Sequence, residues 1–290
     1  MDTVREKGYY HWDGRLEERR FPWWPITRTG ILLAFRKRGF RFLFAGQFFP
    51  GIILMAYIYG SENLENFKFM VRGSDRIMGV TPGSFKLLLT FGPVLFLIVM
   101  MLVFAGAGLI ADDLKHNSLQ VYFARPLRKH DYLVGKMAVV FYFVLIVTAV
   151  PGVVCLLFKL VLSGSFKFFL DYPWLILSII GYSALLAVFF AFYTLLLSAL
   201  NKNSRFATIL IFLTYIFSDI FSAILRDIFR TPYMVLLSIR ANLEQVGAFM
   251  FAQKPSVPIP AGWSFLVLAL ICSLSAAVLN RKIRAAEVIR

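Results

Sequence analysis

The sequence predicts an all-α membrane protein with six transmembrane helices and both termini in the cytoplasm. Composition, the spacing of the apolar runs and the sidedness of the basic residues predict it. Hydrophobic residues make up 59% of the 290 and charged residues 16%, against roughly 45–50% apolar usage in soluble domains. The charges are confined to short stretches between long uncharged runs, as a chain solvated mostly by lipid requires. Alternate loops differ in Lys and Arg content, and the richer set marks the cytoplasmic side by the positive-inside rule.

A hydrocarbon core about 30 Å thick takes about 20 helical residues at about 1.5 Å each. Six stretches meet that length with few or no charges: residues 42–60, 87–111, 137–158, 173–200, 206–225 and 261–280. The sixth starts after Pro255, Pro258 and Pro260, which cannot continue a helix, and stops before Arg281 and Lys282. Residues 1–41 then form a cytoplasmic N-terminal segment, 42–280 the transmembrane domain and 281–290 a cytoplasmic tail. No short apolar stretch with a small-residue cleavage site precedes the first span, so that span is expected to direct insertion.

The cytoplasmic set of bases lies in the N-terminal segment, in the second loop (Lys115, Arg125, Arg128, Lys129, Lys136), at Lys202 and Arg205, and in the tail. About half as many lie on the other side, from Lys68 and Arg72 to Arg240 and Lys254. The net charge of +15 is therefore a topology signal, and no soluble basic domain is present to bind nucleic acid. Cys155 and Cys272 fall inside apolar runs and are expected to be small core residues, and His11, His116 and His130 are too dispersed for metal-ligand spacing.

Two peripheral helices are expected. Over residues 26–41, Ile31, Leu32, Phe35 and Phe42 fall on one face with Lys37 and Arg41 opposite, as in an amphipathic in-plane helix before the first span. Arg28 and Arg36 interrupt that face, and a basic flank that only fixes topology is the competing reading. Trp12, Trp23 and Trp24 with Tyr9, Tyr10 and Phe21 suit a headgroup-level anchor. Between spans five and six, Leu236, Ile239, Leu243, Val246 and Met250 recur at helical spacing, with Arg240 and Glu244 offset by four. This external amphipathic helix lies on the outer leaflet, dips into it or caps the bundle, and spacing does not choose among these.

The most informative stretch is the loop 112–136, DDLKHNSLQVYFARPLRKHDYLVGK. Asn117 can adopt a left-handed turn and Ser118 can cap a following helix. Leu119, Val121, Tyr122 and Phe123 then make a short apolar helix with no bilayer to enter, stopped by Pro126, and Asp131 can sit near the start of the third span. Burying Leu119 and Phe123 is worth roughly 1.5–3 kcal/mol each. Either a partner protein supplies the groove, or the helix packs on the chain's own helix ends or lies in the interface.

This loop resembles that of the type-2 permeases of ATP-binding-cassette transporters. Asp113 and Leu114 match its opening, Ser118 and Leu119 stand where Thr-Leu is usual, Arg125 and Pro126 follow in place, and Lys129, Asp131, Tyr132, Gly135 and Lys136 complete it. Asn117 replaces the usual glycine and keeps the left-handed turn available. The resemblance implies that Leu119 to Phe123, including Tyr122, form a cytoplasmic coupling helix docking on a separate ATPase subunit, with Asp113, Leu114, Asn117, Ser118, Arg125 and Pro126 framing it. It further implies two ATPase copies, a second permease copy or a homologous permease, ATP and Mg held by the ATPase and not by this chain, and an exporter in the bacterial inner membrane.

Other chemistry is not encoded. No GxxxxGK[ST] loop occurs, so ATP is not bound here by that motif. Gly181-Tyr182-Ser183-Ala184 faintly resembles an intramembrane serine-protease motif, but no histidine lies in a span to serve as base. Asp219 is the one acid inside a predicted span, within reach of Arg226 by sequence, and is either a structural pair or part of a substrate path or dimer interface. The rival to the permease is a stand-alone ion-coupled six-span carrier or a non-transporting scaffold; buried titratable groups are scarce for a carrier.

Overall fold

The computed structural model describes residues 21–63, 79–118, 128–164 and 166–288, and all regular structure among them is helical. Six helices are long and apolar enough to cross a membrane: Arg38–Glu62, Pro82–Lys115, Lys129–Ser163, Leu175–Leu200, Ser204–Phe229 and Ala261–Lys282, hereafter spans 1 to 6. Each overlaps one of the apolar runs in the sequence, the fourth starting two residues later, at Leu175.

Burial sorts them into two layers. The most apolar stretches of spans 2, 3 and 4 are 72, 56 and 50% buried within the chain, and those of spans 1, 5 and 6 only 22, 17 and 22%. Helices in lipid associate where small residues let backbones approach and where polar groups find partners. The crossing of spans 3 and 4 shows this: a Cβ on Gly152 would lie 2.6 Å from Ile179 Cγ2.

Span 2 is interrupted at Phe91, whose ψ of 128° leaves the helix ahead of Pro93, and again at Ala107. At the second break Ser198 of span 4 enters the backbone ladder. Its Oγ accepts from the amides of Ile110 and Ala111 at 3.1 Å each and donates to the Ala107 carbonyl at 2.7 Å. Lys37 Nζ donates to the Phe104 carbonyl at 2.8 Å. These contacts satisfy backbone groups that a regular helix would pair internally.

The helix Trp24–Arg36 packs along span 3 with Ile26, Thr27 and Ala34 buried, and Thr27 Oγ1 donates to the Gly135 carbonyl at 3.0 Å. Residues 26–41 are not the one continuous helix expected from spacing. Ile31 and Phe35 do pack on the core, but Leu32 and Phe42 are 55 and 80% exposed. Lys37, whose extended backbone (φ −80°, ψ 122°) separates this helix from span 1, puts Phe42 out of phase with Ile31 and Phe35, whereas Leu32 lies on the uncovered side of their own helix.

The helix Ile239–Met250 packs against spans 2, 4, 5 and 6. Ile239, Leu243 and Val246 are buried as their spacing predicts, whereas Leu236 belongs to the preceding 3-10 turn Pro232–Leu237. Polar anchors fix it: the Tyr182 hydroxyl donates to the Leu243 carbonyl at 3.0 Å, Ser178 Oγ to the Met250 carbonyl at 2.7 Å, and Gln245 Nε2 to the Ile259 carbonyl at 2.6 Å.

Candidate functional site

The root of the 112–136 loop is a buried polar clasp between spans 2 and 3. Asp113 Oδ2 lies 2.7 Å from Lys136 Nζ and accepts a 2.7 Å hydrogen bond from the Tyr132 hydroxyl. Tyr132 and Lys136 are four residues apart, hence neighbours on one helical face, and the ammonium sits 5.5 Å from the Tyr132 ring centroid. Gly135 lets the Trp24–Arg36 helix lie close, since a Cβ there would be 3.0 Å from both Ile26 Cβ and the Trp23 carbonyl oxygen. The Gly135-Lys136 pair thus serves close approach and charge pairing.

Asn117 is left-handed, at φ 53°. Asp131 Oδ2 accepts from the Arg128 amide at 3.3 Å, closing a capping box at the start of span 3. Leu114 packs partly buried against the core and Ser118 is half-buried. Leu119, Tyr122, Phe123, Arg125 and Pro126 lie outside the described residues.

A second cluster forms at the far end of span 5. Asp219 pairs with Arg240 and not with Arg226 as the sequence suggests: Arg240 Nε donates to Oδ2 at 2.8 Å and Nη2 to Oδ1 at 3.2 Å. Arg226 is seven residues along the same helix, about 10 Å away in rise, whereas the turn after span 5 brings Arg240 directly over the carboxylate. Ser238 donates to Asp219 Oδ1 at 2.8 Å and its Oγ also caps the helix by accepting from the Ala241 amide at 3.0 Å. Arg240 Nη1 reaches Glu244 Oε2 at 3.3 Å, and Ser256 donates to Glu244 Oε1 at 2.7 Å. The hydrogen-bonded Asp219 carboxylate raises the Arg240 pKa above its ordinary value, against the opposing effect of burial, so the guanidinium stays charged.

Two cavities flank this pair. One, of about 270 Å³, is lined by polar side chains that include Ser222, Arg226, Ser238, Glu244 and Gln245, together with Ala223, Val235, Ala241 and Val257. The other, of about 350 Å³, is lined by Gly92, Pro93 and Phe96 of span 2 and by Tyr215, Ile216 and Ile220 of span 5. Asp219 and Arg240 line both.

A third polar contact was not foreseen. Lys159 of span 3, 8% exposed, pairs with Glu62 of span 1 and lies 5.5 Å from the Phe168 ring centroid. In the sequence each flanks an apolar run and counts as a loop charge; only the length of these helices draws both inward. Cys155 is buried, and its thiol contacts the Gly51 carbonyl at 3.4 Å.

No curated protein matches this chain. The sequence model of one family, described as ABC-2 family transporter protein, matches residues 25–277. The match takes in the helix before span 1, both charge clusters and most of span 6, which is where the resemblance carried by the 112–136 loop pointed. The chain belongs to the ABC-2 transporter family, as a multi-pass membrane permease of an ATP-binding-cassette transporter.

Proposed function

We propose that this chain is the permease subunit of an exporter in the bacterial inner membrane, working as a pair with a second copy or a homologous permease. Two cytoplasmic ATPase subunits, which hold ATP and Mg, dock on the 112–136 loop through Leu119, Tyr122 and Phe123. Asp113, Leu114, Asn117, Ser118, Arg125 and Pro126 set the angle of that short helix. The termini and the loop are cytoplasmic by the positive-inside rule. The single observation that supports this most directly is the Asp113–Lys136 clasp with Tyr132, which ties both roots of the loop to one point. A displacement of the loop then moves spans 2 and 3 together, and span 4 follows through its extensive contact with span 3.

Closure of the ATPases would push the paired loops and rock the two permeases against each other, moving cargo outward past the Asp219 end of span 5, which lies on the substrate path or the permease–permease interface. Co-purification with a soluble Walker-type ATPase tests the docking contact. Leu119→Asp and Phe123→Asp are expected to abolish the complex while the permease remains folded and inserted. A complex that survives both substitutions would refute the assignment.

A further inference from the structure

We propose that the paired cavities around Arg240 and Asp219 form a binding site for a zwitterionic amphiphile, with its dipolar head in the polar cavity and its hydrocarbon chain in the apolar one. The polar cavity presents Asp219, Glu244, Arg226 and Arg240, two charges of each sign. A simple anion or cation meets as much repulsion there as attraction, while a head carrying both charges finds a partner for each.

The second cavity continues around the same ion pair and changes chemistry. Pro93, Phe96, Ile216 and Ile220 offer hydrocarbon, and Ile220 is 50% exposed, so this cavity opens to the outer face of span 5. A head anchored at Arg240 and Asp219 stands beside that cavity, because the same two side chains line both. The ion pair is itself only part-buried, its side chains 35 and 36% exposed, so both charges can reach a bound head.

Of the several buried side chains that lack a hydrogen-bond partner among the described residues, one stands at this site. Tyr215 is 3% exposed, lines the apolar cavity, lies one helical turn before Asp219, and its hydroxyl has no hydrogen-bond partner. Buried hydroxyls are nearly always paired, because desolvating one without compensation is costly. The hydroxyl is closed off as it stands, so the polar linkage of a bound amphiphile pairs with it once the ring shifts toward the cavity it lines.

Binding by the site needs no ATPase; only its place on an export path rests on the permease reading. The test uses the full-length permease, purified in detergent without ATPase, with fluorescent phosphatidylethanolamine as the zwitterionic probe and phosphatidylglycerol as the anionic one. The zwitterionic lipid is expected to bind about tenfold more tightly. Tyr215→Phe, which removes only an unpartnered hydroxyl, should weaken that binding about fivefold without lowering the melting temperature. A merely structural tyrosine predicts no change in binding.

Ile220→Trp fills the exposed mouth of the apolar cavity and should abolish binding. Glu244→Gln, which tips the cluster to net positive, should shift preference toward the anionic lipid. Equal binding of the two lipids by the unaltered protein, or unchanged affinity in both Tyr215→Phe and Ile220→Trp, overturns the proposal. With ATPase and ATP added, release of the bound lipid identifies it as cargo and retention identifies a resident lipid, and either result requires the site. Failure of lipid binding while the ATPase still co-purifies sinks the site alone; loss of the ATPase complex with binding intact sinks the coupling reading alone.

Discussion

Two ion pairs at opposite ends of the bundle, Asp113–Lys136 and Asp219–Arg240, hold their charges in opposite ways, and the Glu62–Lys159 pair sides with the first in its burial. At the loop end, Lys136 and Asp113 are 11 and 14% exposed at the side chain, braced by Tyr132 and shouldered by the helix that Gly135 admits. At the other end, Arg240 and Asp219 border two cavities and stand more than a third exposed. A buried pair cannot lose one member without stranding the other charge in a poor solvent for it, whereas a half-exposed pair is screened and can be re-paired. The first arrangement suits a joint that stays shut while it moves, and the second suits a contact that opens to a ligand.

The largest expected effect tests the joint. Lys136→Met leaves Asp113 buried without its counter-charge and should cost about 3–5 kcal/mol of stability, read from thermal unfolding of the purified protein. Adding Asp113→Leu should recover most of the loss, since an apolar pair needs no compensation. A single variant as stable as the parent would erase the distinction between the two pairs.

A smaller loss is expected from Gly135→Ala, about 1–3 kcal/mol from overpacking against Ile26 and the Trp23 carbonyl. Gly262→Ala, where an added Cβ meets nothing within 4 Å, serves as the control and should be neutral within about 0.5 kcal/mol. The smallest change belongs to the open end. Asp219→Asn should cost less than about 1 kcal/mol and progressively less as salt is raised, while the cost of Lys136→Met should not respond to salt. A salt-insensitive loss at Asp219 would mean that this pair is as sealed as the other.

Much of the loop end was legible because its signals are local. Asn117 takes the left-handed turn expected of it, Asp131 caps span 3, and the Gly135-Lys136 pair sits where the family pattern has it. At the far end spacing located the buried stripe Ile239, Leu243, Val246 but not the partner of Asp219. Sequence proximity favoured Arg226, and nothing in local spacing reveals that the turn through Pro232–Leu237 folds Arg240 back over span 5. The break before span 1 escapes spacing for a related reason: periodicity assumes one continuous helix, and Lys37 interrupts it. Ser198, which stitches the break in span 2, gave no signal because a serine in an apolar span looks the same whether it bonds its own helix or a neighbour's.

By itself the sequence determined six membrane-spanning helices and a loop of the ABC-2 pattern, because transfer into lipid is settled residue by residue and sums over about 20 neighbours. Only the tertiary structure decided which polar groups meet: Asp113 with Lys136, Glu62 with Lys159, and Asp219 with Arg240 in place of Arg226. Each of these pairs joins separate helices, and their meeting depends on how those helices cross and turn, which no local window contains.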